Sequence, residues 1–262
     1  MVINKPTYKT VLAIWALLLA LPGFLLLTQQ QIFPWLDLTS SISRILFYLT
    51  TTGTAPYAVI TVFVFFGLSF FCVSKPYWGR MVIAVIFSLC MSLQLNHALK
   101  SYFQEPRPNL TWLASQVDTV IDLNTFYTEK SIQRSELIYT ALKQYQDSMN
   151  QNSLVTKPRL KVSPIIQHHW QHEVGYAFPS GHTIFATTLV LTASYYLLLS
   201  GASVLNIVLI MWGVSMGLSR MLLGMHWSQD VFASTCLAMI LSTISIYFVE
   251  KYGHNLKIKR SR

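Results

Sequence analysis

The sequence predicts an all-α fold, a polytopic membrane bundle of six transmembrane helices with an extracytoplasmic helical insertion. Of the 262 residues, 53% are hydrophobic and only 11% are charged, whereas an average soluble domain has about 25% charged residues. This composition indicates that lipid is the solvent for much of the chain. The apolar residues also gather in six stretches, and crossing a bilayer takes about 20 predominantly apolar residues.

The six apolar stretches are the predicted spans. They cover residues 11–27, 57–73, 81–99, 183–199, 204–223 and 231–249. We interpret the first as an uncleaved span, because it is long and no small-x-small cleavage site follows it. The chain then divides into residues 1–100 with three spans, 101–179 as the insertion, 180–250 with three spans, and 251–262 as a basic cytoplasmic tail.

Loop charges predict the orientation, because cytoplasmic loops are enriched in Lys and Arg. Lys5 and Lys9 precede the first span, and Lys75 and Arg80 lie between the second and third. Five more basic residues follow the sixth span: Lys251, Lys257, Lys259, Arg260 and Arg262. Both termini are therefore expected to be cytoplasmic. The third and fifth spans would then end outside, and the fourth and sixth would begin there.

The net charge of +9 would suit nucleic acid only if the basic residues gathered on a soluble face. Five of them instead lie in the tail beside a span, a placement that favours anionic lipid headgroups, so no nucleic-acid partner is predicted. The cysteines, Cys72, Cys90 and Cys236, each lie in an apolar run without a metal-ligand spacing. We interpret them as buried apolar residues.

The insertion at 101–179 is the only large polar segment. Within it, Ser131 to Met149 carries apolar residues at helical spacing, which predicts an amphipathic helix. This helix would either pack on the rest of the insertion or lie on the membrane surface and help lipid to enter. Residues 150–164 are polar and proline-punctuated, which is typical of a loop.

Three polar clusters stand where predicted spans begin or end. They are Lys100 with Arg107-Pro108; Phe178-Pro179-Ser180-Gly181-His182; and Ser219-Arg220 with His226 and Asp230. A charged side chain at the bilayer centre costs about 2.5–3.5 kcal/mol on insertion scales, so lipid-facing helices rarely carry one. The predicted topology places all three clusters on the same face. The sequence therefore predicts one shared site that handles an anion.

The spacing of His226 and Asp230 favours a nucleophile. They are four residues apart, so they share one helix face if the sixth helix begins near His226. Asp230 would accept a hydrogen bond from one imidazole nitrogen and leave the other free to attack. The alternative is a structural His–Asp helix cap.

The basic residues suit phosphate. Arg offers five donors in a rigid fork that matches phosphate oxygens, and Lys100, Arg107 and Arg220 together match a phosphoryl group. The alternative for Lys100 and Arg220 is a side chain that snorkels to the interface. Glu173 would either pair with one of these cations or be a solvated loop carboxylate.

The start of the fourth span also suits an anion. Helix N-termini present free N–H groups, and Gly181 permits close approach to the backbone. Ser180 would donate to an oxyanion or simply cap the helix. His182 would give a proton to a leaving group and later take one from water.

Taken together, Lys100-x6-Arg107-Pro108, Pro179-Ser180-Gly181-His182 and Ser219-Arg220-x5-His226-x3-Asp230 resemble the three signature blocks of the type 2 phosphatidic acid phosphatase superfamily. That family also includes bacterial acid phosphatases and vanadium haloperoxidases. All three blocks are complete and in the family's order, and the resemblance covers roughly residues 94–230.

The resemblance implies a metal-independent lipid phosphatase with no cofactor. His226 would attack phosphorus, Asp230 would orient and charge it, and His182 would protonate the leaving group and then activate water. The phosphoryl oxygens would be bound by Lys100, Arg107, Ser180, Gly181 and Arg220.

The resemblance also implies a multi-pass protein of the bacterial inner membrane with its site on the periplasmic side. Its partners would be the bilayer and lipid phosphates: phosphatidylglycerophosphate, undecaprenyl diphosphate and phosphatidic acid. Two alternatives stay open, a dedicated undecaprenyl-diphosphate phosphatase and a lipid-phosphate flippase or transporter. Trp112, Trp170 and Trp227 would lie either at the outer headgroup level or in the core.

Overall fold

A computed structural model describes residues 3–116, 120–151 and 160–253, and within these ranges the fold is all-α, with no β-strand. The helices of the described residues are α1 (Lys5–Leu27), α2 (Ser41–Thr51), α3 (Tyr57–Cys72), α4 (Lys75–Phe103), α5 (Pro108–Ala114), α6 (Leu123–Phe126), α7 (Ser131–Gln151), α8 (Pro164–His172), α9 (Gly181–Leu199), α10 (Ser203–Leu222) and α11 (Ser228–Tyr252).

Five helices are long and apolar enough to cross a membrane: α1, α4, α9, α10 and α11. They coincide with five of the predicted spans. The helix at the predicted second span, α3, has only 16 residues, or about 24 Å at 1.5 Å per residue, against a hydrocarbon core of about 30 Å. The number of six crossings therefore stays a prediction.

The bundle is built around α9. Residues from His182 to Leu197 of this helix are buried, with the exception of Phe185, and it packs against α1, α4, α10 and α11. A Cβ added to Gly213 of α10 would lie 2.6 Å from Cγ2 of Val190, so the glycine permits the close approach of these two helices. Small residues serve this purpose between membrane helices.

A second apolar core lies beyond the end of the bundle and joins the insertion to α2. In α7, Ile138, Ala141 and Leu142 are buried in this core, which also contains Trp170 of α8. The predicted helix at 131–149 is therefore confirmed, and its burial supports packing on the insertion. Trp170 is fully buried, so it belongs to the core and not to the headgroup level.

Residues 28–56, which the sequence analysis treated as a loop, contain the amphipathic helix α2. Ser40 caps this helix by accepting a hydrogen bond from the Ser43 backbone. One face exposes Ile42, Ile45 and Tyr48, and the helix packs against α10 and α8. This packing brings the C-terminal end of α2 to the site.

One expectation about the cysteines was wrong. Cys72 and Cys90 are exposed at the protein surface, and Cys236 is half-buried. In a membrane bundle, lipid covers the outer faces of the helices, so an apolar residue need not be buried within the protein. Most of the predicted basic tail (254–262) and most of the predicted loop at 150–164 (152–159) lie outside the described residues.

Candidate active site

The three polar clusters meet at one end of the bundle. The residues that the sequence predicts for the site stand where their helices begin or end, or in the turns between them: Lys100, Arg107, Ser180, Gly181, His182, Arg220, His226 and Asp230. The cations near enough to act electrostatically on His226 include Arg107, Arg220 and Lys100. The structure thus brings these residues together.

Asp230 holds both His226 and the start of α11. Its Oδ2 lies 3.3 Å from Nδ1 of His226 and accepts a hydrogen bond of 2.9 Å from the Trp227 backbone N–H. The helix begins at Ser228, so His226 lies in the turn before it. The carboxylate that caps the helix is therefore also the partner of His226, and the role of His226 as a nucleophile stays a prediction.

The turn that carries His226 depends on Gly224. This glycine has φ +71°, and an added Cβ would lie 2.6 Å from the Phe33 ring. Only glycine combines the left-handed conformation with so close a contact. The backbone N–H groups of Met225 and His226 both donate to the carbonyl of Arg220. The end of α10 and the imidazole are therefore fixed by one short piece of backbone.

Because Asp230 engages Nδ1 of His226, the nitrogen left for chemistry is Nε2. Burial and the neighbouring guanidinium groups of Arg107 and Arg220 hold the pKa of His226 well below its usual value. The imidazole is therefore neutral near pH 7. When Nδ1–H is donated to Asp230, Nε2 carries a lone pair that can attack an electrophile.

Glu173 is a central partner of the site's cations. Its Oε2 lies 2.9 Å from Nη2 of Arg107 and 3.6 Å from Nη2 of Arg220. Burial alone would raise the pKa of Glu173, but these two guanidinium groups hold it well below its usual value, so the carboxylate is ionised. The side chain is only 19% exposed, and the solvated-loop interpretation was wrong.

The backbone that follows Glu173 also binds cations. Nζ of Lys100 donates to the carbonyl of Tyr176 at 2.6 Å, and Nε of Arg107 donates to that of Gly175 at 2.7 Å. From the insertion, Arg134 of α7 donates to the carbonyl of Val174 at 3.0 Å. We name residues 173–176 the site loop. Lys100 therefore points into the site, which contradicts a snorkelling role.

Arg220 has no contact with solvent at all, so snorkelling was also wrong for this residue. Its Nη1 donates to Oγ1 of Thr50 at 2.9 Å and lies 3.2 Å from Nε2 of His169. Burial and Arg220 lower the pKa of His169 to about 3, so this ring is neutral and can accept. Within the described residues, Nε and Nη2 of Arg220 have no hydrogen-bond partner, which leaves donors for an anion.

The N-terminus of α9 has an ordinary N-cap and is also part of the site. Oγ of Ser180 accepts from the backbone N–H of Thr183 at 3.4 Å and from its hydroxyl at 2.9 Å. The N-cap interpretation is confirmed, and the Ser180 hydroxyl proton is left to donate. A Cβ on Gly181 would lie 3.3 Å from Nδ2 of Asn96, so glycine fits this approach best.

Three polar residues of the site are not predicted by any pattern in the sequence. Thr50 and His169 bind Arg220, and Oγ1 of Thr54 lies 2.7 Å from Nε2 of His182. The two threonines stand 170 and 128 residues from their partners, and no spacing rule reaches so far. Only the helical periodicity of α2 would have given a signal, because it places Thr50 on the face opposite the exposed Ile45 and Tyr48.

Comparisons with known proteins agree with this geometry. The family model described as PAP2 superfamily matches residues 81–253. Phosphatidylglycerophosphatase B of Haemophilus influenzae is 33% identical over 212 residues, which are 79% of this chain and 81% of that protein. The protein of the same name from Escherichia coli K12 is 29% identical over 209 residues, which are 78% of this chain and 75% of that protein. The chain therefore belongs to the PAP2 superfamily and is a phosphatase.

Proposed function

We propose that this phosphatase removes the terminal phosphate of a membrane lipid, through a phosphohistidine at His226 and without a metal ion. One observation carries the proposal. Two buried histidines, one of them paired with a buried carboxylate, lie close to three cations at the point where membrane helices end. A flippase needs the cations but has no use for the His226–Asp230 pair, and membership in a phosphatase family disfavours that alternative.

Substrate binding uses the donors of the pocket. Lys100, Arg107 and Arg220 carry three positive charges for a phosphoryl group whose charge is spread over three equatorial oxygens. The Ser180 hydroxyl and the Gly181 N–H add donors at the N-terminus of α9. A phosphoryl oxygen competes with Oε2 of Glu173 for the two guanidinium groups.

In the first step, Nε2 of His226 attacks phosphorus, the N–P bond forms and the bond to the leaving oxygen breaks. His182 gives its proton to that oxygen, which belongs to an alcohol in a monoester and to a phosphate in a diphosphate. Asp230 stabilises the positive charge that develops on the His226 ring.

In the second step, water attacks the phosphohistidine and His182 takes its proton. The N–P bond breaks, inorganic phosphate leaves and His226 returns to its neutral form. His182 therefore enters the cycle as the imidazolium, is neutral while the phosphohistidine exists, and returns to the imidazolium when it takes the proton of water.

The names of the relatives support phosphatidylglycerophosphate as a substrate, with phosphatidylglycerol as the product. Undecaprenyl diphosphate, which would yield the monophosphate, and phosphatidic acid carry the same terminal phosphate. The pocket described above recognises that phosphate and not the rest of the lipid. An enzyme dedicated to undecaprenyl diphosphate is therefore the alternative that a substrate comparison has to test.

We also propose six crossings with both termini in the cytoplasm and the site on the periplasmic side. The positions of Lys5, Lys9, Lys75 and Arg80 support this orientation. The contacts of α3 support the sixth crossing: Thr54, just before it, contacts His182 at the site end, and Ser74, just after it, lies 3.5 Å from Ser200 beyond the far end of α9.

The test is phosphate release by the purified protein in detergent with excess EDTA. Phosphatidylglycerophosphate and undecaprenyl diphosphate are compared side by side, and His226→Ala is the control. Hydrolysis of either lipid that the control abolishes would support the proposal, and the ratio of kcat/KM would name the preferred lipid. A complete loss of activity in EDTA that magnesium restores would refute metal independence.

A further inference from the structure

We propose that Thr54 is a positioning residue for His182. Its hydroxyl oxygen accepts a hydrogen bond from Nε2–H, so that Nδ1 is the nitrogen that gives and takes protons. This inference rests on the proposed function, because it concerns the residue that would act there as general acid and base. Thr54 follows α2 in a segment that belongs to none of the three sequence clusters.

The contact between Thr54 and His182 is close and one-sided. Oγ1 of Thr54 lies 2.7 Å from Nε2 of the ring, and a Cβ built on Gly53 would lie 3.1 Å from Cδ2. The Nε2–Cδ2 edge of the imidazole therefore faces the end of α2. Nδ1 lies on the opposite side of the ring, and the hydrogen bond found for this ring among the described residues is the one at Nε2.

The second contact of Thr54 supports this direction of the hydrogen bond. Its hydroxyl lies 3.5 Å from the carbonyl oxygen of Thr50, at the long end of the hydrogen-bond range, and that carbonyl can only accept. With its proton directed there, Oγ1 offers a lone pair to His182. The ring nitrogen that faces it is then the protonated one, and Nδ1 is the basic nitrogen.

The end of α2 is held firmly enough to act as a support. Nε1 of Trp212 donates to Oγ1 of Thr52 at 2.9 Å, and the Thr61 hydroxyl donates to the Thr52 carbonyl at 2.9 Å. Thr50 in turn binds Arg220. Helices α3 and α10 therefore fix the segment that carries Thr54 from two sides.

The proton transfers of His182 in the two steps are compatible with an uncharged partner such as the Thr54 hydroxyl. Nε2 keeps its proton throughout, while Nδ1–H passes to the leaving oxygen in the first step and Nδ1 takes a proton from water in the second. A hydroxyl stabilises the protonated ring modestly and leaves it able to give its proton away. The titratable and charged groups around His182 are Arg220, Glu173, His169, Arg107 and His226.

The test compares Thr54→Val, which removes the hydroxyl at nearly constant volume, with Thr54→Ser, which retains it. We expect the valine variant to lose about tenfold in kcat on a lipid phosphomonoester with little change in KM, since one hydrogen bond is lost. The alkaline limb of its kcat profile should move to lower pH by about one unit. Thr51→Val is the matched control, because among the described residues the hydroxyl of Thr51 bonds only the Tyr48 carbonyl of its own helix.

The serine variant should keep the wild-type profile. A valine variant with wild-type kcat, a fall in kcat with an unmoved alkaline limb, or a serine variant as impaired as valine would each overturn the inference. If the valine variant does not fold, Thr54→Ala and Gly53→Ala replace it, since the added methyl of the latter presses on the ring edge. Hydrolysis by the wild type that His226→Ala abolishes separates a failure of this inference from a failure of the proposed function.

Discussion

The two histidines of the site are held in different ways. His226 is fixed by a short stretch of chain, residues 220–230, and its partner is a buried carboxylate 3.3 Å away. His182 is fixed by a distant segment, and its partner is a hydroxyl 2.7 Å away. A carboxylate stabilises a lasting positive charge on a ring, as a phosphohistidine requires, whereas a hydroxyl suits a ring that gains and loses a proton in each cycle. The partners thus match the two proposed roles.

The largest expected effect comes from removing each imidazole. His226→Ala should abolish hydrolysis, with a loss of roughly 10⁴-fold or more in kcat, because the proposed intermediate forms on this imidazole. His182→Ala should lose about 10²–10⁴-fold, the usual share of a general acid. Steady-state phosphate release from a lipid phosphomonoester measures both. A larger loss in His182→Ala than in His226→Ala would contradict the assignment of the nucleophile to His226.

A substitution of Gly224 tests whether the backbone turn before His226 holds that histidine in place. Gly224→Ala combines a left-handed conformation with a methyl 2.6 Å from Phe33, so the turn must move and both Tm and kcat should fall. Gly201→Ala is the matched control, since Gly201 also has positive φ but no atom of the described residues lies within 4 Å of an added Cβ. The control should lower stability by about 1–2 kcal/mol and leave kcat unchanged. A similar loss of kcat in both variants would contradict a fixed turn.

The next prediction concerns Glu173, which contacts both Arg107 and Arg220. Glu173→Gln removes the charge that competes with a phosphoryl oxygen for Arg107 and Arg220. Vanadate should then inhibit several-fold more tightly, because the arginines keep their charge and lose their ionic partner. The inhibition constant of vanadate is measured at pH 7 for the wild type and for Glu173→Gln, with substitution of the exposed Glu136 by Gln as control. Weaker inhibition would mean that Glu173 serves mainly to hold the arginines in place.

The smallest effect concerns His169, which supports Arg220. Its pKa is about 3 in the folded protein and about 6.5 in the unfolded chain. Between these values the unfolded state binds more protons, so this residue makes stability rise with pH from about 3 to 6.5. His169→Gln should lose part of the rise in Tm between pH 4 and 7, while the exposed His168→Gln should keep it. An unchanged slope in the His169 variant would contradict a buried neutral ring.

The same contrast explains how far the sequence could predict the site. The His226 side lies within eleven residues (220–230), so an i,i+4 spacing was enough to pair His226 with Asp230. The apolar stretches placed five membrane helices correctly, because hydropathy alone decides such a helix. The His182 side is tertiary: Thr54 meets His182 only because α2 packs against α10. Glu173 was suspected, but its burial between two arginines could not be inferred from its position nine residues before His182.

The remaining errors concern residues whose surroundings were predicted wrongly. Cys72 and Cys90 were expected to be buried because they are apolar, yet in a membrane bundle the outer faces of the helices are apolar too. Lys100 and Arg220 were open to a snorkelling interpretation because they stand at helix ends. Their actual partners, the Tyr176 carbonyl and Thr50, come from the site loop and from α2.

The most direct measurement is to trap the proposed intermediate. The purified protein is mixed with a substrate labelled at the terminal phosphate, quenched in alkaline denaturant, and examined for label on the chain. We expect a label that is stable in alkali, lost in acid, located at residue 226 and absent from His226→Ala. A label that survives in the alanine variant, or hydrolysis by the wild type without any trapped label at early times, would contradict a phosphohistidine at His226.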